Sequence, residues 1–261
     1  MNRNELSQLI ERHTQPLEPI PTGHPPRWDR LPDIRAVVFD VYGTMLVSGC
    51  GELGSAVAAD RSQSAQEALA ELGWKPAPES GAACVRQLVE QIGLDHDKIR
   101  RQGIEHPEVD IREIWQQVLR HLESERLVSE PPNASMEAMA IAYECRVNPV
   151  WPMPHLGRAL QAIRGSGLTL GIISNAQFFT PWLIEHLLGE SLDRIGFKPN
   201  HCLWSYRLRE AKPSVHLYHD MSGRMEPIRP EQVLYIGNDM RNDIRPAAQA
   251  GMRTALFAGD R

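Results

Sequence analysis

The chemistry of this chain centres on an aspartate that ends an apolar run. Residues 36–39 read Ala-Val-Val-Phe, Asp40 follows them, and Gly43 and Thr44 come shortly after. Such a run, ended by Asp and then by Gly-Thr, is typical of a buried parallel strand that leads into a tight turn. Because ligands bind beyond the carboxyl ends of the strands in parallel sheets, Asp40 is predicted at the mouth of a pocket. A carboxylate held there can act as a nucleophile or as a metal ligand.

Polar side chains that could share this pocket follow three further apolar runs. They are Ser174 and Asn175 after the run 168–174, Lys212 after 202–205, and Asn238, Asp239 and Asp243 after 233–237. Because neighbouring parallel strands bring their carboxyl ends to one edge of a sheet, we expect these residues to converge on the same crevice as Asp40.

The converging groups are chemically complementary. Three carboxylates in one place repel one another and need a cation, and oxygen ligands of this kind suit Mg²⁺. Lys212 offers a positive charge to an anion, while the hydroxyls of Ser174 and Thr44 offer hydrogen bonds. An anion bound between metal and Lys212 would place its central atom beside Asp40. That geometry supports in-line displacement with a covalent carboxylate intermediate.

The elements that must position these groups alternate between strands and helices. This alternation predicts the α/β class, with a Rossmann-like three-layer core built on a parallel sheet. Between about residues 55 and 148 only helical periodicity is present, punctuated by Gly73, Gly93 and the Pro131-Pro132 pair. We therefore predict an N-terminal extension over 1–33, a core over 34–52 and 149–261, and a helical domain over 53–148.

Composition restricts the function classes. The net charge of −5 over 261 residues argues weakly against nucleic acid as the main partner, because phosphate backbones usually bind a basic face. No apolar stretch approaches the roughly 20 residues that span a bilayer, and the N-terminus lacks a signal-peptide core. The cysteines are far apart and are expected to be reduced and buried: Cys50, Cys84, Cys145 and Cys202. A cytoplasmic enzyme or binding protein fits.

Taken together, the motifs resemble those of the haloacid dehalogenase superfamily of hydrolases. Its four motifs match, in order, residues 39–44, Ser174-Asn175, Lys212-Pro213 and residues 237–243, and the resemblance covers about residues 34 to 257. The helical domain looks like the first-type cap of that family, which closes over the site and selects the substrate.

The resemblance also implies a role for each motif residue. Asp40 would be the nucleophile, with Lys212 and Ser174 as further catalytic residues. The implied substrate-binding residues are Thr44, Ser174, Asn175, Tyr42 and Lys212. The implied Mg²⁺ ligands are Asp40, the backbone carbonyl of Tyr42, Asp239 and Asp243.

One position departs from the phosphatase pattern of this family. Phosphatases of the family usually carry a second Asp two residues after the nucleophile, which protonates the leaving oxygen, whereas this chain has Tyr42. An unperturbed Tyr has a pKa of about 10 and is a poor proton donor at neutral pH. Tyr42 resembles the 2-haloacid dehalogenases instead, since halide leaves without a proton. Tyr218, six residues after Lys212, fits the same pattern.

The fourth motif points the other way. In dehalogenases it is depleted of metal-binding acids, whereas this chain keeps Asp239 and Asp243, although the first acidic position of many family phosphatases is Asn238 here. Dehalogenation of a carboxylate substrate needs no metal. It does need a cation to clamp that carboxylate, and the nearest candidate, Arg61, is predicted on a helix of the cap.

The leading hypothesis is therefore a Mg²⁺-dependent phosphatase that acts on a small phosphorylated metabolite through an aspartyl-phosphate on Asp40. The first alternative is a metal-independent 2-haloacid dehalogenase with an ester on Asp40. The second is a weakly catalytic protein that binds a phosphometabolite. Expected partners are a small anionic substrate, with no nucleic acid and no membrane, in a monomer or homodimer.

Overall fold

The computed structural model describes residues 3–27, 29–49, 55–129 and 135–260, without the side chains of residues 3, 4 and 55–60. Cys50 and the Pro131-Pro132 pair lie outside the described residues. Three cysteines within them are free and buried, as predicted: Cys84, Cys145 and Cys202. Among the described residues, no helix has the length and apolar character needed to cross a bilayer.

Five parallel strands form the central sheet in the order β5-β4-β1-β6-β7, and β2 pairs with β3 in a separate two-stranded sheet. The strands are β1 Ala36–Phe39, β2 Leu46–Ser48, β3 Val150–Pro152, β4 Thr169–Ser174, β5 Phe197–Trp204, β6 Val233–Gly237 and β7 Arg253–Leu256. All four residues of β1 are buried, as expected for a parallel strand covered on both faces.

The register of the sheet determines which chain ends meet. Phe39, the last residue of β1, pairs with Ile172 of β4 on one side and with Ile236 of β6 on the other. The backbone N–H of Asp40 then donates to the carbonyl of Ile236 at 2.9 Å. The segments that follow β1, β4 and β6 therefore leave the sheet side by side.

Helices accompany this sheet along the chain. They are α6 Leu156–Gly165, α7 Thr180–Leu188, α8 Leu192–Ile195, α9 Ser205–Leu208, α10 Val215–Arg224 and α11 Arg245–Gln249, with a π-helical turn over Met240–Ile244. The predicted α/β class is thus confirmed. The sequence analysis missed β2, β3, α8 and α9, which have three or four residues each and are too short to show a periodicity. It also missed α10, which has 10 residues.

The remaining helices form a second compact unit. They are α1 Arg3–His13, α2 Ser55–Glu71, α3 Ser80–Arg100, α4 Ile111–Ser124 and α5 Met136–Val147. Asp110 caps α4 by accepting a bond from the backbone N–H of Arg112, and Ser135 caps α5 through that of Ala138. Buried apolar residues recur at helical spacing along α4: Ile114, Trp115, Val118, Leu119 and Leu122.

The chain passes between the two units more than once. The helical unit comprises Met1–Gln15, Gly49–Ile104 and Val109–Val150, and the core unit comprises Pro16–Ser48, Glu105–Glu108 and Trp151–Arg261. The N-terminal residues 1–15 thus cluster with the helices, and the short segment 105–108 with the core. The predicted domain boundaries, and the role of the helices as a cap, stay predictions.

Candidate active site

Lys212 joins two carboxylates that are distant in sequence. Its Nζ donates to Oδ1 of Asp40 and to Oδ1 of Asp243, each at 2.6 Å. All three side chains are buried. The sequence analysis predicted that these residues would converge, and within the core unit they do.

Asn175 holds the loop that carries Lys212. Its side-chain Oδ1 accepts from the backbone N–H of Lys212 at 2.7 Å, and its Nδ2 donates to the Lys212 carbonyl at 3.3 Å. These two bonds join the end of β4 to the segment that follows β5. The strand β5 itself is not adjacent to β1 in the sheet. Asn175, predicted to bind substrate, therefore uses both polar groups to place Lys212.

The electrostatics of this trio are dominated by burial. Burial raises the pKa of Asp40 above its ordinary value of 3.8, Lys212 opposes that rise, and the charge of Asp243 adds to it. For Lys212, burial alone lowers the pKa, but the charges of Asp40 and Asp243 outweigh it, and the pKa is raised above its ordinary 10.5. Lys212 is therefore an ammonium group that two carboxylates share, which leaves one negative charge of the trio unbalanced.

Asp243 has a donor for each oxygen. Oδ1 accepts from Lys212 and also from the hydroxyl of Tyr235 at 3.0 Å, while Oδ2 accepts from the backbone N–H of Asp239 at 3.0 Å. The sequence analysis did not find Tyr235, because a Tyr within the apolar run of β6 reads as packing. The only signal was a phenol at a buried position two residues before the end of a strand that leads into the site.

Asp239 turns its carboxylate onto its own turn. Oδ1 accepts from the backbone N–H groups of Arg241 and Asn242, and Oδ2 accepts from Nδ2 of Asn242. Burial raises the pKa of Asp239, but these hydrogen bonds outweigh it and the pKa lies below the ordinary 3.8. Asp239 thus caps the π-helical turn, and its role as a metal ligand stays a prediction.

Asn238 instead faces the turn after Asp40. Its Oδ1 lies 3.5 Å from the hydroxyl of Thr44, at the limit of a hydrogen bond. Gly43 adopts a φ of +77°, and a Cβ there would lie 2.2 Å from Nδ2 of Asn238. Position 43 therefore needs glycine for two reasons, the backbone conformation and the close approach of the amide.

Ser174 presents a buried hydroxyl. Its Oγ has no hydrogen-bond partner among the described residues, although the side chain lies at the end of β4 beside the site. A buried donor without a partner is destabilising unless something accepts from it. The hydroxyl is suited to an anionic oxygen of a substrate, in line with its predicted role.

Tyr42 is half-buried, and its hydroxyl has a partner on another element. Its hydroxyl lies 2.8 Å from Oγ1 of Thr180, which in turn accepts from the backbone N–H of Gln177 at 3.2 Å. Thr180 begins α7 and is fully buried. From sequence, Thr180 was predicted only as the N-cap of this helix, a position that Phe179 occupies instead. Its contact with the phenol, at the position where family phosphatases carry an acid, was not predicted.

A divalent cation can be tested against these oxygen donors. Among the described residues, no three His, Cys, Asp or Glu side chains form a ready metal cluster. Mg²⁺ needs fewer, since one or two carboxylates with carbonyl, water and phosphate oxygens suffice. Asp40, with its unbalanced negative charge, and the amide oxygen of Asn238 on the adjoining turn fit this requirement. The donor set therefore suits Mg²⁺.

Arg61, the candidate clamp for a haloacid carboxylate, lies on α2 of the helical unit. Burial raises the pKa of Glu144 above its ordinary 4.5, a bond from Asn148 opposes the rise, and the charge of Arg61 also opposes it. Arg61 thus interacts with a carboxylate of its own unit.

Comparison with known families identifies this arrangement. A family model described as haloacid dehalogenase-like hydrolase matches residues 34–251, which is more than half of the chain. The matched region contains every residue of the site described above.

Two archaeal relatives share one description. A glyceraldehyde 3-phosphate phosphatase of Methanopyrus kandleri is 25% identical over 226 residues, which cover 85% of this chain and 82% of that protein. A glyceraldehyde 3-phosphate phosphatase of Methanocaldococcus jannaschii is 29% identical over 105 residues, which cover 40% of this chain and 42% of that protein. The chain thus matches less than half of the second relative.

Solved structures with a similar fold include both chemistries. A 2-haloacid dehalogenase from Pseudomonas syringae pv. Tomato DC3000 has a TM-score of 0.51 and 22% identity, covering 86% of each chain. A HAD phosphatase from Thermococcus onnurineus has a TM-score of 0.50 and 17% identity, covering 87% of this chain and 89% of that one. At such identities the likeness shows the fold alone, and the fold does not select between phosphatase and dehalogenase.

Proposed function

This chain belongs to the haloacid dehalogenase-like hydrolase family, and from that premise we propose that it is a Mg²⁺-dependent phosphatase of small phosphorylated metabolites. The observation that carries the proposal is the buried Asp40, whose Oδ1 lies 2.6 Å from Nζ of Lys212. A carboxylate fixed at the carboxyl edge of a rigid sheet and paired with an ammonium is suited to attack an anionic phosphoryl group.

We propose a reaction in two displacements. Asp40 attacks the phosphorus, an oxygen–phosphorus bond forms, and the bond from phosphorus to the substrate oxygen breaks. The electron pair stays on the leaving oxygen, which takes a proton from water. Water then attacks the phosphorus of the aspartyl-phosphate, which releases inorganic phosphate and restores Asp40. Lys212 and the hydroxyl of Ser174 would bind the phosphoryl oxygens throughout.

The proposed ligands for Mg²⁺ are Asp40, the backbone carbonyl of Tyr42 and the side-chain oxygen of Asn238. Asn238 replaces Asp239 and Asp243 of the sequence-based set, because those two carboxylates already have donors for both oxygens. The ion would neutralise negative charge on the phosphoryl group, because Lys212 alone does not supply enough positive charge.

Support for the substrate class comes from the relatives. Both archaeal proteins are described as glyceraldehyde 3-phosphate phosphatases, so a short phosphorylated aldehyde or polyol is the first candidate. We propose this class for the chain rather than that particular compound.

A 2-haloacid dehalogenase is the second candidate, and Tyr42 is the observation that favours it. Halide leaves without a proton, so a phenol bonded to Thr180 would not impair that reaction. The clamp for the haloacid carboxylate is the weaker part of this candidate, since Arg61 lies on α2 of the helical unit, where its charge acts on Glu144.

The deciding experiment measures phosphate release from a panel of phosphorylated metabolites, beginning with glyceraldehyde 3-phosphate, with Mg²⁺ and with a chelator. Halide release from 2-haloacids is measured beside it. We expect phosphate release that requires Mg²⁺ and is absent from Asp40→Asn. Halide release that persists in chelator would replace the phosphatase proposal, and binding without turnover would favour a phosphometabolite-binding protein.

The metal ligands are tested by a matched pair of variants. Asn238→Asp is expected to lower the Mg²⁺ concentration needed for half-maximal activity, because a carboxylate replaces a neutral ligand. Asp239→Asn is expected to change that concentration little and to lower the unfolding midpoint, since it weakens the cap of the turn. If Asp239→Asn changes the Mg²⁺ concentration for half-maximal activity more than Asn238→Asp does, the ligands predicted from sequence would be favoured instead.

A further inference from the structure

We propose that Tyr235 is a positioning residue of this hydrolase, which keeps Lys212 on Asp40 by holding Asp243 in place. The inference rests on the proposed function for its kinetic part only. The hydroxyl of Tyr235 bonds to Asp243 and to the carbonyl of Ile173. It would act through two intermediate side chains.

The connection is a continuous line of buried hydrogen bonds. The hydroxyl of Tyr235 donates to Oδ1 of Asp243 at 3.0 Å, Lys212 donates to the same oxygen at 2.6 Å, and Lys212 also donates to Asp40 at 2.6 Å. Tyr235 is fully buried in the core cluster beneath the sheet edge, and Asp243 is almost fully buried. Tyr235 and Asp243 therefore lie in the core, and the loop that carries Lys212 reaches them there.

The phenol has one proton, and besides two oxygen acceptors its hydroxyl also interacts with the hydroxyl of Tyr218. The carbonyl of Ile173 lies at 3.2 Å and Oδ1 of Asp243 at 3.0 Å. The carboxylate is nearer and charged, and bonds to charged acceptors are about twice as strong as neutral ones, so the proton belongs mainly to Asp243. Burial raises the pKa of Tyr235 well above its ordinary 10.0, so the hydroxyl remains a donor.

The consequence for the site follows from competition. Asp40 and Asp243 share the ammonium of Lys212, and a carboxylate with fewer donors attracts it more strongly. Without the phenol, Oδ1 of Asp243 would depend on Lys212 alone. Lys212 would then donate to Asp40 less often, and the nucleophile would lose the cation that it needs beside it.

Tyr218 provides a matched control. It is fully buried and contacts Tyr235 edge to face with ring centroids 5.0 Å apart. Its hydroxyl donates to the main-chain carbonyl of Asn242 at 2.8 Å rather than to the carboxylate. Tyr218→Phe therefore removes a neighbouring buried hydroxyl, which interacts with that of Tyr235, and leaves Tyr235 in place as the donor to Asp243.

The kinetic test compares Tyr235→Phe with Tyr218→Phe, using p-nitrophenyl phosphate and Mg²⁺, alone and in the Asp243→Asn background. We expect Tyr235→Phe to lower kcat about 10- to 100-fold with little change in KM, because the variant loses a hydrogen bond to a charged group. Tyr218→Phe should lower the unfolding midpoint by a similar amount, but its decrease in kcat should be severalfold smaller. In Asp243→Asn, Tyr235→Phe should have no further effect.

A second measurement needs no turnover. The chain has only four lysines, Lys75, Lys98, Lys198 and Lys212, and the first three are exposed. Amine labelling at one pH in chelator, followed by peptide mass spectrometry, reports Lys212 against three internal references. We expect Tyr235→Phe to raise the labelling rate of Lys212 at least about threefold relative to wild type, because an ammonium held mainly by one carboxylate is released more often than one shared by two. Tyr218→Phe should raise it less.

The outcomes separate the two proposals. If the wild type releases no phosphate but Lys212 labels faster in Tyr235→Phe, the positioning role stands and the phosphatase reaction does not. Equal effects of the two Phe variants on both kcat and labelling would overturn the positioning role, as would unchanged labelling in Tyr235→Phe. A folded Tyr235→Phe protein with wild-type kcat would also overturn it.

Discussion

Two carboxylates of this protein meet cations at similar distances and respond in opposite ways. In the core unit, Asp40 lies 2.6 Å from Lys212. In the helical unit, Glu71 lies 2.8 Å from Arg12, 2.8 Å from His13 and 2.7 Å from Arg146. The pKa of Asp40 is raised, whereas that of Glu71 lies below its ordinary 4.5.

Asp40 and Glu71 differ in how many positively charged partners they have and in how deeply they are buried. Within the described residues, Asp40 and Asp243 share one cation in the interior, so the penalty for burying charge prevails. Burial also raises the pKa of Glu71, but bonds from Arg146 and His13 outweigh it at this partly exposed position. Glu71 ends α2, where a helix C-terminus disfavours an anion and cationic partners compensate.

The comparison separates a carboxylate that holds helices together from one that we propose to be reactive. The Glu71 cluster joins α1, α2 and α5, so its interactions hold helices together. The Asp40 trio instead keeps an under-compensated negative charge, which the proposed reaction would direct at a metal ion and a phosphoryl group. Such strain is expected at active sites, which trade stability for reactivity.

The largest effect is expected from removing the reactive carboxylate. Asp40→Asn should lower kcat by about 10⁴-fold or more, because the nucleophile is lost. The same change should leave the unfolding midpoint in chelator equal or higher, since it removes a buried charge beside Asp243. Single-turnover phosphate release and thermal unfolding check both parts. A clearly lower midpoint would mean that Asp40 stabilises the core as Glu71 stabilises the helices.

Removing the cation should separate the two regions next. Lys212→Met leaves two facing buried carboxylates and should destabilise the protein by about 3–5 kcal/mol while abolishing turnover. Arg146→Met is the matched change in the helical unit, where Glu71 keeps Arg12 and His13. It should cost about 1–2 kcal/mol. Urea unfolding in chelator measures the loss of stability in both variants. Similar losses would contradict the view that Asp40 and Asp243 share one cation whereas Glu71 has several partners.

Acid should affect the two carboxylates in opposite directions. Because the folded pKa of Asp40 is raised, its ionised form costs stability, and that cost disappears as pH falls through the raised value. Because the folded pKa of Glu71 is lowered, its contribution is present above the ordinary 4.5 and is lost as pH falls through the lowered value.

The corresponding measurement is thermal unfolding in chelator from about pH 8 to about pH 3, for wild type, Asp40→Asn and Glu71→Gln. The advantage of Asp40→Asn should shrink first as pH falls, and the deficit of Glu71→Gln should shrink only at lower pH. The reverse order would show that the trio does not raise the pKa of Asp40.

The smallest effect is expected from Glu71→Gln at neutral pH. It should destabilise by about 1 kcal/mol, since the partners are partly exposed. Phosphate release should stay at the wild-type rate, because Glu71 belongs to the helical unit and has no part in the proposed chemistry. A large loss of kcat would connect the Glu71 cluster to the reaction and end its use as a structural reference.

The sequence sufficed for the core strands and for the convergence of Asp40, Lys212 and Asp243. Apolar runs and the polar residues that end them are local signals, and a parallel sheet brings such ends together. The α/β class and the family follow from these signals, and both are confirmed by the five-stranded sheet and the family match.

Only the tertiary structure decided which partner each polar group takes. Asp239 and Asn238 are neighbours in sequence, yet one caps its own turn and the other faces Thr44. Tyr235 reads as core packing in its strand, but its hydroxyl reaches Asp243. Hydrogen-bond partners depend on the direction of each side chain and on competition among donors within a few ångströms. A linear pattern gives the position of a residue along a strand but not the outcome of that competition.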